Sequence, residues 1–77
     1  MTTAQLHLTF PGDLERERTV AALGTSFALQ VNIRRANVDE QSAWFIVDVT
    51  GDEDEIARAV AWLLDEGVQV DRIPIDG

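Results

Sequence analysis

The chain has 77 residues, enough for one domain spanning 1–77 and not for two. Fourteen acidic residues against six arginines and no lysine give a net charge of −8, a field that repels nucleic acid and anionic lipid. The absence of cysteine excludes a disulfide scaffold, a CxxC metal site, a thiolate iron–sulfur site and a cysteine nucleophile.

A domain this small buries only about 60% of the surface its unfolded chain exposes, so pairing with a partner or with a second copy is a natural source of stability. The longest apolar stretches, such as Ala59 to Leu64, fall far short of the roughly 20 residues that span a bilayer. Met1-Thr2-Thr3-Ala4-Gln5 has no basic region followed by an apolar run. The expectation is a cytoplasmic protein without membrane insertion.

Leu6-His7-Leu8-Thr9-Phe10 alternates apolar and polar residues and reads as a strand with one buried face, ended by Pro11-Gly12. A helix follows over about 15–26, with Val20, Leu23 and Phe27 on one side and a solvated start of Glu15, Arg16, Glu17 and Arg18. Leu29 to Ile33 alternates again as a second strand. The phase then slips: apolar residues resume at Ala36 and Val38, across Arg34-Arg35. One extra residue flips the face of everything after it, so the slip predicts a β-bulge or bend at the arginine pair.

Asp39-Glu40-Gln41-Ser42 is a short polar connection. Trp44 to Val49 is then the third strand and the antiparallel hairpin partner of the second. Phe45, Val47 and Val49 share one face; Trp44, Ile46 and Asp48 share the other. Asp52 is placed to cap a second helix, with Glu55 three residues on completing a box-like pattern. Ile56, Ala59, Val60 and Leu63 form its buried stripe, and Gly67 its left-handed stop. Val68-Gln69-Val70 alternates as a fourth strand, and Pro74 bars a central-strand role for the tail.

The order βαββαβ defines an α+β, ferredoxin-like fold. It is a four-stranded antiparallel sheet ordered 4-1-3-2, with two helices on one face and the second strand at an edge. Metal chaperones of this shape need a cysteine pair after the first strand, and RNA binders need aromatic residues in basic surroundings; neither is here. An acylphosphatase needs a phosphate loop holding an arginine, and the 11–18 stretch offers no such nest. His7, the single histidine, has no Ser, Cys or paired acid arranged around it, and reads as a surface or half-buried strand residue. The acid run at 52–55 lacks the ligand spacing of a calcium loop, and helix capping is the better account. No enzyme activity, cofactor or metal is expected.

Three features do carry information. Trp44 and Ile46 put apolar surface on the face that the helices leave bare. Asn32 interrupts a strand, where Asn is disfavoured. Arg34-Arg35 concentrates a third of the positive charge at the bulge. Together they place a partly apolar, partly polar patch on the edge hairpin: either a contact surface, or a patch covered by the C-terminal tail or a loop, with the arginine pair blunting the edge.

Leu6-His7-Leu8-Thr9-Phe10-Pro11-Gly12 resembles the opening of NIL domains. The stretch Val31 to Val38 resembles their Asn-Ile-containing second strand, and Ala59-Val60-Ala61-Trp62-Leu63 with Gly67-Val68 resembles their second helix and last strand. The resemblance runs from about residue 5 to about residue 73. It implies a ferredoxin-like fold related in shape to ACT regulatory domains. It further implies a domain that sits at the C-terminus of methionine-importer ATPase subunits or beside iron–sulfur domains, and that pairs and binds methionine at or near the interface. Here there is no ATPase sequence and no cysteine cluster; Met1 and the short tail favour a free-standing member. Asn32 and Ile33 match the motif beside that ligand, and Val38 and Phe45 match it more weakly.

The leading expectation is therefore a non-catalytic regulatory or amino-acid-binding domain, a homodimer through the second-strand edge. Its candidate ligand-binding residues are Asn32, Ile33, Arg34, Val38 and Phe45. Its candidate interface residues are Val31, Arg35, Trp44 and Ile46. A transporter or an enzyme is the expected partner protein. The alternative is a protein-interaction module without a small ligand, docking through the same edge by β-augmentation.

Overall fold

The computed structural model describes residues 1–12, 15–39 and 42–73. The elements are β1 (Thr2–Pro11), α1 (Arg16–Ser26), β2 (Gln30–Val38), β3 (Ser42–Gly51), α2 (Glu53–Asp65) and β4 (Gln69–Ile73). They form one antiparallel sheet ordered β2-β3-β1-β4, the ferredoxin-like arrangement that the order of patterned segments predicts.

The sheet is built on β1 and β3. Ten residue pairs run without a register shift from Thr2↔Gly51 to Pro11↔Ser42. Alternation along both strands sends Ala4, Leu6, Leu8 and Phe10, with Ala43, Phe45, Val47 and Val49, to one face. Leu23 of α1 and Ile56, Ala59 and Leu63 of α2 close over that face, and Leu29 and Val68 fill its ends. Phe10 and Phe45 meet edge-on with ring centroids 5.4 Å apart. β1 and β3 are longer than their apolar runs because Thr2 and Thr3 pair with Gly51 and Thr50, and the Thr3 and Thr50 hydroxyls are 2.9 Å apart.

The helices depart from expectation in three details, one being that Val60 of α2 is only half-buried beside the core. On α1 the buried residues are Thr19 and Leu23, while Val20 and Phe27 pack half-buried at the margin. Thr19 enters the core because its hydroxyl donates to the Glu15 carbonyl at 3.0 Å, so no polar atom goes unpaired. On α2, Asp52 does hold the N-cap position, but no side-chain cap bond forms and the expected box is absent. Glu55 is occupied elsewhere: its carboxylate accepts the Ala28 backbone N–H at 2.8 Å and pairs with Arg58 at 3.0 Å. That bond ties the start of α2 to the connection entering β2.

The same connection lies against Gly51. A Cβ there would meet Leu29 Cδ2 at 2.5 Å and the Ala28 carbonyl oxygen at 2.9 Å. At the other end of α2, Gly67 takes φ +94°, and Val68 N–H bonds to the Leu63 carbonyl at 3.0 Å. Gly67 N–H reaches the Leu64 carbonyl at 3.1 Å, completing a Schellman stop that drops buried Val68 beside Leu63. Arg72 of β4 donates to Glu53 at 2.9 Å; this hydrogen bond, chiefly, holds the Glu53 carboxyl below its ordinary value. No helix among the described residues is long and apolar enough to cross a membrane. Glu40 and Gln41 of the polar connection, and the role assigned to Pro74, lie outside the described residues.

Two substitutions test this packing. Leu63→Ala empties a fully buried site and is expected to cost about 2–4 kcal/mol in urea denaturation. Gly51→Ala drives a methyl group into a backbone oxygen that cannot rotate away. It is expected to cost about 1–3 kcal/mol by the same measurement, whereas Gly24→Ala, where a Cβ meets the Val31 side chain no closer than 3.8 Å, serves as a control.

Candidate functional site

The β2–β3 hairpin carries the residues singled out by the sequence. Ile33 pairs with Val47, and the next pair is Arg35 with Ile46, so Arg34 is the extra residue of a β-bulge. The bulge corrects the phase slip. Before it Val31 and Ile33, and after it Ala36 and Val38, oppose the helix-side residues Val49, Val47, Phe45 and Ala43 of β3. Without the extra residue, Ala36 and Val38 would turn to the opposite face.

Restoring the row does not bury it. The core reaches β3 and stops: Phe45, Val47 and Val49 are buried, whereas Ile33 is 51% and Val38 52% exposed. Every residue of β2 from Asn32 to Val38 is exposed. β2 is therefore an edge strand with an uncovered apolar row on its helix side and a free backbone edge.

The opposite face holds the polar residues. Asn32 pairs with Asp48, Arg35 with Ile46 and Asn37 with Trp44. Asp48 pins the bulge, accepting a hydrogen bond from Gln5 at 3.1 Å while lying 3.5 Å from the Arg34 guanidinium. Trp44 is half-buried and lies against the His7 imidazole, ring centroids 5.5 Å apart and 28° from coplanar. His7 in turn is 3.9 Å from Asp71 of β4.

The expected site residues thus divide between two faces. Ile33, Val38 and Phe45 stand together on the helix side, with Val31 beside them. Asn32, Arg34, Arg35, Trp44 and Ile46 stand on the open side. The edge of β2 is where the two sets come closest, since its side chains flank the free backbone from either face. His7, Asp71 and Gln5 belong to the open-face cluster and were not among the expected site residues. Asp48, a lone acid in an apolar strand, was the visible signal for that cluster; the cross-strand partners were not visible without the register.

The described residues form a βαββαβ domain whose edge hairpin is left uncovered by the helices. The NIL domain family profile matches residues 4–72, and the chain belongs to that family. Its fold is similar to the C-terminal domain of an ABC transporter/ATP-binding protein from Enterococcus faecalis. That comparison gives a TM-score of 0.74 at 16% identity, over 95% of this chain and 86% of that one. Two de novo designed proteins share the fold. Foldit4 has a TM-score of 0.59 at 14% identity, covering 96% of this chain and 97% of that one. Ferredog-Diesel has a TM-score of 0.55 at 12% identity, covering 95% and 85%. At such identities the likeness shows the fold alone. No curated protein matches the chain significantly.

The role of Asp48 is open to test. Asp48→Ala removes the acceptor shared by Gln5 and Arg34. Arg34 is 57% exposed and can turn to water, whereas Asp48 is 20% exposed and accepts from part-buried Gln5, so the stability loss is expected at about 1 kcal/mol. Amide exchange at Ile33, Arg34 and Arg35 is expected to quicken as the bulge loosens. Unchanged exchange at those three amides would show that the backbone alone holds it.

Proposed function

We propose that the chain is a non-catalytic regulatory domain that binds a small amino acid along the β2 edge and acts there as a homodimer. Methionine is the first candidate, on the strength of the family resemblance. The observation that carries the reading is the uncovered row of β2. An apolar side chain of a ligand, or the same row of a second copy, would cover Ile33 and Val38 against Phe45. Asn32 and Arg34 flank the same edge from the other side, where they would meet the polar end of an amino acid; an arginine can hold a carboxylate bidentately. Membership of the family and the likeness to a transporter ATPase's C-terminal domain support a regulatory role beside a transporter or an enzyme, on the cytoplasmic side of the membrane.

Apolar burial along this edge reaches only the low end of what association costs. Burying the exposed half of Ile33 and of Val38 stabilises by about 1 kcal/mol each, so four such side chains across a two-fold contribute about 4 kcal/mol. This is smaller than the upper range of association costs, so a ligand that fills the edge would strengthen the pair.

An amide titration by NMR with L-methionine and a panel of other amino acids is the direct test. Saturable shifts confined to residues 31–38 and their partners on β3 are expected, lost in Ile33→Asp and weakened in Asn32→Ala with the fold intact. If no amino acid moves those amides, the ligand reading fails. The β2 edge then stands as a protein-docking strand.

A further inference from the structure

The open face of the sheet carries a second pattern, independent of β2's free edge. The pairing registers align one row across all four strands: Arg35 opposite Ile46, Ile46 opposite His7, and His7 opposite Asp71. The row has a cation at one end, an anion at the other, and an aliphatic and an aromatic side chain between them. Both charged ends are exposed, and Arg35 has no carboxylate within 4.0 Å among the described residues. The neighbouring row has the same character, with Asn37, Trp44, Thr9 and Gln69 in order across the sheet.

Such rows are self-complementary under one symmetry operation. A two-fold axis parallel to the strands, passing between β3 and β1, lays β2 of one copy over β4 of the other and β3 over β1. Position along the strand is unchanged by that rotation. Arg35 then faces the second copy's Asp71, Ile46 faces its His7, and Trp44 faces its Thr9. The Asn37 amide faces the Gln69 amide. Every contact occurs twice. We infer that the open face is a self-association surface, on which two copies stack sheet against sheet with reciprocal Arg35–Asp71 ion pairs at its margins.

Physical limits agree with this arrangement. Aligned sheets pack about 10 Å apart and cross at about 30°, and an arginine side chain is long enough to absorb the displacement that such a crossing gives the outer strands. Within one chain, Arg35 and Asp71 are three strand spacings apart, about 14 Å, so they cannot satisfy each other. Stacking of the exposed charges alone would give little; the half-buried Trp44, His7 and Ile46 supply the apolar centre that the pairs surround. A sheet only four strands wide places the interface at the small end of specific contacts, so association is expected at micromolar concentrations and weakens with salt. The face is opposite to the apolar row of β2, and the inference holds whether or not an amino acid binds there.

The test separates this surface from the edge. Sedimentation equilibrium of the full chain is run in an Ile33→Lys background, which blocks β2 edge pairing at an exposed site, with circular dichroism confirming the fold. A concentration-dependent dimer is expected. Adding Arg35→Asp, or separately Asp71→Arg, sets like charges against each other at both margins and is expected to weaken the dimer at least tenfold. Carrying both changes together restores opposite charges only between copies, and is expected to recover the original affinity. A monomer at every concentration in the Ile33→Lys background, or single substitutions without effect, or a double variant no better than either single, would each overturn the inference.

Discussion

Everything in this fold hangs from the pairing of β1 with β3. Ten consecutive pairs in one register fix which side chains face the helices, and the alternation on both strands makes that face almost wholly apolar. A slip by one residue would send Leu6, Leu8, Phe10 or Phe45, Val47, Val49 into water, so the register is strongly specified. The helices pack where that apolar field is, which is over the centre of the sheet.

β2 lies outside the reach of this constraint. It is held by hydrogen bonds to β3 and by the clamp at its entry, where Gly51 admits the Ala28–Leu29 backbone and Glu55 accepts the Ala28 N–H. Beyond Val31 it contributes nothing to the core. Yet its sequence keeps an apolar residue at each helix-side position, and spends a bulge to do so. Apolar side chains held in register on an uncovered edge are not required by the folding of one chain. They are the part of the molecule that the proposed ligand or second copy would cover.

Element order, sheet order and core were legible because they rest on local alternation and on punctuation: Pro11-Gly12, the slip at Arg34-Arg35, and Gly67 each did what its chemistry predicts. The departures arose where a side chain had two competing partners. Glu55 leaves its own helix terminus for the Ala28 amide, 27 residues away in sequence, and Thr19 reaches the core by bonding backward to Glu15. The candidate site was half legible. Position 32 to 38 could be named from composition, but the division of those residues between two faces depends on the bulge and on which β3 residue each one opposes. His7 and Asp71 come together only through the β1–β4 register, which no single-strand pattern contains.

The charge balance gains a meaning from this geometry. With a net charge of −8, copies of the chain repel at long range, so any contact between them has to concentrate its cations where the partner's anions fall. Two of the six arginines sit side by side on β2, and the structure gives them different tasks. Arg34 lies 3.5 Å from Asp48 of its own chain, and its guanidinium, 57% exposed, keeps donors on the β2 edge. Arg35 has no such partner among the described residues and projects from the open face at the margin farthest from Asp71. Because the bulge falls at Arg34, a single edge strand presents an apolar row on one side and a charged margin on the other.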